Sequence, residues 1–107
     1  MFVINGETWR LKIVPSNYFL LLKPDGDYAI GVCDDRYKII CLSEQLYGKQ
    51  FKEVLCHEIV HAAMFSYNIK LDYNTEELLA NIISKYGFEI TNITDVLFQK
   101  IKRGYYI

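Results

Sequence analysis

Residues 50–65 of the chain read QFKEVLCHEIVHAAMF, and this stretch governs how the rest of the sequence is interpreted. Apolar side chains occur at nearly every helical angle along it, rather than on one face only. A helix that is apolar on all sides is typical of a central, buried position in a fold. We therefore predict a buried helix from Gln50 to Phe65, closed by Asn68, around which the remaining elements pack.

The middle of this helix contains His57-Glu58-Ile59-Val60-His61. Side chains four residues apart lie on the same face of a helix, with about 5–6 Å between their Cβ atoms. Two imidazoles placed in this way can bind one metal ion. Glu58 is offset by about 100° from His57, so it lies beside such an ion without needing to bind it. A carboxylate there suits a general base that accepts a proton from metal-bound water. We predict that His57 and His61 are metal ligands and that Glu58 is the catalytic base.

Glu53 lies one turn before His57 and extends these polar side chains into a narrow stripe along an otherwise apolar helix. Burying imidazole and carboxylate groups without partners costs free energy. A metal ion and its water would satisfy the stripe, which favours the metal-site interpretation.

A catalytic zinc ion usually has three protein ligands and one open position, and the sequence holds no further histidine. The third ligand is therefore expected to be a carboxylate or a cysteine. Cys56 points about 100° away from His57, and we interpret it as a small buried hydrophobic residue. Glu77 is favoured because small or polar residues lie one turn further along its helix, and Glu76 and Asp72 stay open as less favoured candidates.

The first 42 residues predict an antiparallel β-sheet of three to five strands. Asn5-Gly6 between extended segments is a hairpin signal, because both turn positions tolerate positive φ, and Pro15 ends the strand that follows. The further apolar, β-prone runs cover residues 18–22, 28–33 and 37–42. Runs that are adjacent in sequence usually pair, so we expect a meander.

Beyond the buried helix, the sequence predicts two more helices. One runs from Glu76 to Tyr86, with Asn74 or Thr75 as its N-cap and Gly87 as its stop, and the other covers residues 91–103. Strands followed by helices predict an α+β fold, in which the helices cover one face of the sheet.

Length and composition exclude several classes of protein. The chain has 107 residues and a formal net charge of -1, which favours one domain over residues 1–107 and gives no basic surface for nucleic acid. It holds no apolar run of the roughly 20 residues that span a membrane, and we see no targeting segment. Three cysteines, an odd and small number, favour reduced thiols in the cytoplasm.

The motif HEIVH at 57–61, followed by ELLAN at 77–81, resembles the gluzincin metallopeptidases. The segments GVCD at 31–34 and LCHEIVHAAMFSY at 55–67 are most similar to small, often prophage-encoded zincin-like proteins related to the ImmA/IrrE type. Minimal gluzincins of comparable size are a second likeness. The resemblance covers about residues 28 to 88.

This resemblance implies one zinc ion on His57, His61 and Glu77, with Glu58 as general base and acid. It also implies a peptide bond as the substrate and a twisted sheet whose edge strand lies over the cleft. The sequence departs from larger gluzincins because no additional histidine can hold the oxyanion. That role would fall to a tyrosine such as Tyr67 or Tyr73.

We therefore predict a zinc-dependent peptidase that hydrolyses a peptide or protein substrate through a metal-activated water. An extended peptide is expected to add as a strand to an unpaired edge, for which residues 37–42 are the candidate. The second possibility is a metal-binding, zincin-scaffold protein that acts without proteolysis as a protein-binding module of phage or prophage type. Nine tyrosines suit such an interface.

Overall fold

The computed structural model describes residues 1–104, and this part of the chain has an α+β architecture. Its strands form one mixed sheet, and two α-helices follow them. In chain order, the elements of residues 1–104 are β1 (Phe2–Ile4), β2 (Glu7–Val14), a short 3₁₀ helix (Phe19–Leu21), β3 (Gly31–Asp34), β4 (Ile39–Ser43), α1 (Gly48–Ser66) and α2 (Tyr73–Lys102). Four strands lie within the predicted range. One domain over residues 1–107 stays a prediction, since residues 105–107 lie outside the described part.

The sheet has the order β1-β2-β4-β3, and its central pair is parallel. β1 and β2 form the hairpin expected at Asn5-Gly6, where both residues have positive φ, and β2 ends before Pro15 as predicted. β3 pairs antiparallel with β4. The prediction of a purely antiparallel meander was therefore wrong, because β2 is followed by a long connection that carries the chain back before β4 pairs with it.

That connection contains residues 18–22, which do not form the predicted strand. The backbone N–H of Leu21 donates to the carbonyl of Tyr18 at 2.9 Å, and that of Leu22 donates to Phe19 at 3.2 Å, which closes a 3₁₀ turn. Leu21 is buried, whereas Phe19 is exposed. One apolar side chain thus enters the core from a turn, and the run does not pair as an extended segment of the sheet.

β4 is the centre of the core because all five of its residues are buried. Its two faces contribute to two apolar clusters. One cluster packs the sheet against α1 and comprises Trp9, Ile40, Leu42, Leu46 and Ala62. The other lies on the opposite face, under the 3₁₀ helix, and comprises Val14, Leu21, Ile39 and Cys41. A strand apolar on both faces is typical of such a central position.

α1 confirms the helix predicted at residues 50–65. It extends slightly further, from Gly48 to Ser66, and Asn68 follows it in the left-handed conformation. Ser66, its last residue, accepts a hydrogen bond at 2.7 Å from the indole N–H of Trp9 on β2. This buried bond joins the end of the helix to the sheet.

α2 is one continuous helix of 30 residues, where the sequence predicted two helices separated by Gly87. Gly87 does not have positive φ, and the helix passes through it. Glycine inside a helix costs only about 1 kcal/mol relative to alanine, so good helix formers on both sides can override it. The predicted N-cap was also wrong. Asp72 is the N-cap, and its carboxylate accepts hydrogen bonds from the backbone N–H and the hydroxyl of Thr75.

Two further sequence expectations concern membranes and thiols. Among the helices of residues 1–104, none is both long and apolar enough to cross a membrane. Cys33, Cys41 and Cys56, which all lie in the described part, are free thiols.

The Trp9–Ser66 bond generates a stability prediction. Replacing Ser66 with alanine leaves a buried indole N–H without its acceptor, so we expect the free energy of unfolding to fall by about 1–3 kcal/mol in urea denaturation. Ser84→Ala is the matched control, because the buried Ser84 hydroxyl donates only to the Asn81 carbonyl of its own helix. Equal losses for the two variants would contradict the role given to this bond.

Candidate metal centre

α1 and α2 together build a cluster of ionisable side chains. His57, Glu58 and His61 lie in the middle of α1, facing the first turns of α2. The Asp72 cap fixes where α2 begins and places Glu76 and Glu77 in its first two turns. The two helices pack side by side, so that glutamates and histidines meet between them.

Three donor atoms converge at this point. The Nε2 atoms of His57 and His61 are 3.1 Å apart. The Glu77 carboxylate spans both, with Oε1 at 2.7 Å from His61 Nε2 and Oε2 at 3.4 Å from His57 Nε2. Within residues 1–104, His57, His61 and Glu77 each offer one potential ligand atom, and these atoms all lie within 4.8 Å of one another. The structure thus brings together the residues that the sequence predicts as ligands.

The donor set fits a zinc ion in its chemistry and its spacing. Two imidazole nitrogens and one carboxylate form a ligand set typical of catalytic zinc sites. Two ligands at roughly 2.0–2.1 Å from a tetrahedral ion are about 3.4 Å apart. The observed separations are 3.4, 3.1 and 2.7 Å, so the donor atoms would move apart by about 0.7 Å or less on binding the ion. The ligand residues are half-buried, which limits competition from bulk water.

Glu76, which the sequence offered as an alternative third ligand, contacts His61 outside the donor cluster. Its Oε2 lies 2.5 Å from Nδ1 of His61, on the opposite side of the ring from Nε2. A carboxylate that accepts from the far nitrogen of a ligating histidine fixes the tautomer and the orientation of the ring. The sequence did not predict this role, although two adjacent glutamates in the first turns of one helix were a signal for it.

Asp72 and the cysteines near the histidines do not join the donor cluster. The Asp72 carboxylate is engaged by Thr75 as the N-cap of α2. Cys56 is half-buried, and burial raises the pKa of its thiol. Cys33 lines a cavity beside the histidines, but burial and the nearby Glu58 raise its pKa as well. Both thiols are therefore protonated near pH 7 in the metal-free protein.

Glu58 is the most buried ionisable group of the site, with 8% of its surface exposed. Burial raises its pKa to about 7, the nearby Glu77 carboxylate adds to this effect, and His61 opposes it. The carboxyl group lies against β3, where a Cβ built on Gly31 would be 3.2 Å from Glu58 Oε2 and 2.8 Å from Val54 Cγ1. The absence of a side chain at position 31 therefore provides the space that Glu58 occupies.

Two cavities flank the histidines, and Ala29, Gly31, His57 and Glu58 line both. One, of about 520 Å³, extends past polar side chains of the two helices and the loop before β3, namely Lys23, Gln50, Glu53, Asn81, Ser84 and Lys85. The other, of about 470 Å³, extends past Cys33, Phe65, Tyr73 and the two glutamates of α2. Because they share four lining residues, the cavities adjoin each other beside the donor cluster, and together we call them the groove.

The strand beside this groove is β3, which lies at the edge of the sheet within residues 1–104. The edge predicted at residues 37–42 was wrong, because β4 is paired with β2 on one side and with β3 on the other. Of the tyrosines considered for the oxyanion, Tyr73 lines the second cavity, and Tyr67 is not among the described residues that line it.

Comparisons of the chain with models of protein families, with curated proteins and with solved structures found no match.

The converging donors generate a metal-binding prediction. We expect the purified protein to bind one equivalent of zinc in isothermal titration calorimetry, with release of protons. Glu77→Gln removes a charged ligand, so its dissociation constant should rise by more than about a hundredfold. Glu53→Gln is the control, because Glu53 lies on the same side of α1 but outside the donor cluster. Equal affinities for Glu77→Gln and the unmodified chain would exclude Glu77 as a ligand.

The contact of Glu76 with His61 generates a separate prediction. Glu76→Gln should keep the one-to-one stoichiometry but weaken zinc binding by roughly ten- to a hundredfold, because an amide holds the imidazole less firmly than a carboxylate. The same titration measures it. A loss for Glu76→Gln larger than that for Glu77→Gln would reverse the roles assigned to the two residues.

Proposed function

We propose that the protein is a zinc-dependent peptidase with a zincin-like arrangement of sheet and helices, similar to the gluzincins of the ImmA/IrrE type. The observation that carries the proposal is the convergence of His57, His61 and Glu77 on one point, with the buried carboxyl of Glu58 next to it. The resemblance of the sequence motifs supports the same interpretation, as do the two cavities of about 520 and 470 Å³ beside the donor cluster.

In this proposal, His57, His61 and Glu77 hold the ion, and Glu76 orients the ring of His61. Zinc, when bound, lowers the pKa of water and polarises a carbonyl group. Glu58 accepts the proton of the attacking water and transfers it to the leaving nitrogen of the peptide. Without metal, burial raises the pKa of Glu58 to about 7. A cation bound beside it would lower this pKa and favour the carboxylate that a general base requires.

The peptide substrate is proposed to bind along β3 in an extended conformation. Edge strands offer unpaired backbone N–H and C=O groups, which can pair with an added strand. The groove runs along this strand, and residues of both helices line its far wall. Ala29 has a small side chain and lines both cavities together with Glu58, which leaves room for a peptide backbone there.

The decisive experiment compares the zinc-loaded chain with Glu58→Gln on a library of peptides from a digested proteome, using mass spectrometry to detect cleavage. We expect Glu58→Gln to bind zinc with similar affinity but to cleave at least about a hundredfold more slowly, because it cannot accept the proton. Glu44→Gln, at an exposed position after β4, is the control, because it makes the same chemical change away from the site.

Undiminished cleavage by Glu58→Gln would exclude Glu58 as the base. If the chain binds zinc but neither it nor the control cleaves any peptide or protein offered, a non-proteolytic, protein-binding function is favoured instead. Zinc binding and cleavage are measured on the same preparations, so a lost site and a lost base are distinguished.

A further inference from the structure

The second half of α2 extends away from the rest of the molecule. From Phe88 to Gly104, every residue is exposed except Leu97, which is half-buried. A helix of 30 residues is about 45 Å long, and the molecule measures 56 Å along its longest axis but only 30 and 28 Å along the others. The last contact to α1 with a defined geometry is at Phe88, where the Lys52 ammonium lies 4.1 Å from the centre of the ring.

This extension carries an apolar face. At 100° per residue, six of the eight apolar side chains in residues 86–104 fall within an arc of about 140°, while the exposed Phe88 and Phe98 lie outside it. This face, which we name the α2 stripe, comprises Tyr86, Ile90, Ile93, Val96, Leu97 and Ile101. Exposure reaches 55% for Tyr86, 57% for Ile90 and 61% for Ile101. Monomeric proteins seldom expose a contiguous apolar surface of this length, which usually marks an interface.

We propose that the α2 stripe is a dimer interface, on which a second copy of this chain packs with its own α2 in the antiparallel direction. A two-fold axis makes such an interface self-complementary, because the same surface is used by both copies. The five well-exposed side chains of the stripe and their charged neighbours offer roughly 600–800 Å² per copy, near the 800 Å² per partner of a standard interface.

Two charged residues within the arc of the stripe favour the antiparallel arrangement. Glu89 and Lys100 lie within about 20° of each other around the helix axis, between Val96 and Ile93. They are equally far along the chain from the midpoint between Thr94 and Asp95. When the two-fold axis passes through that midpoint, Glu89 of each copy meets Lys100 of the other, so that two ion pairs form.

The same register also aligns two apolar residues at the centre of the stripe. The axis that pairs Glu89 with Lys100 also places Ile93 of one copy beside Val96 of the other, since both pairs are centred on the same point. The overlap ends at Tyr86 on one helix and Arg103 on its partner, so the sheet and the metal centre of each copy lie outside it.

Sedimentation equilibrium across a wide range of protein concentrations tests the proposal. We expect the chain to dimerise reversibly and Ile93→Asp to raise the dimer dissociation constant by more than about a hundredfold, because a carboxylate would be buried in the centre of the interface. Gln99→Asp, about 130° around the helix axis from the centre of the stripe, is the matched control and should dimerise normally. Circular dichroism and zinc affinity verify that each variant is folded.

A charge exchange tests the register. Glu89→Lys and Lys100→Glu each replace two attractions with two repulsions, so each should weaken the dimer roughly three- to tenfold at low salt. The double variant restores opposite charges and should regain the affinity of the unmodified chain. Failure of the double variant to recover would overturn the antiparallel register.

A monomeric chain at all concentrations, or a dimer that Ile93→Asp leaves intact, would overturn the proposal. Small-angle X-ray scattering separates the causes of a monomeric result. A monomer with a longest dimension well below 56 Å would show that α2 bends back at Gly87 and covers the stripe within one chain.

Discussion

The geometry of the candidate site depends on one constraint, which is that a carboxylate from α2 must reach two imidazoles spaced by one turn of α1. The spacing of His57 and His61 is a property of any α-helix, so it holds wherever the helix lies. The carboxylate is different, because its position depends on the segment between the helices and on the cap that starts α2. Asp72 fixes that start, and Glu76 and Glu77 then contact opposite sides of the His61 ring.

The features that the sequence predicted correctly are those with short-range causes. The hairpin at Asn5-Gly6 follows from the positive φ of two adjacent residues, and α1 follows from a pattern of side chains along its own length. The proximity of His57 to His61 is equally local. The α+β class was predictable too, because strand-forming and helix-forming segments are separated along the chain.

The features that the sequence missed depend on partners far away in the chain. Residues 18–22 have the composition of a strand, yet they turn because the parallel pairing of β2 with β4 needs a connection there. Residues 39–43, which overlap the predicted edge run at 37–42, form a central strand because β2 pairs with them. Gly87 is a residue type that commonly ends a helix. Nothing in the sequence around it shows that α2 continues through it. Glu76 could be placed near the site from the sequence, but which ring nitrogen it faces depends on side-chain packing.

Gly31 links the edge of the sheet to the acid on α1, and this link has an evolutionary consequence. Glycine weakens a strand by roughly 0.5–1 kcal/mol relative to alanine, so selection for thermal robustness alone would replace it. Any replacement, however, introduces a carbon atom into the space of Glu58 and Val54. Thermal stability and the placement of Glu58 therefore oppose each other at this position. Stabilising substitutions have to be sought in other parts of the chain.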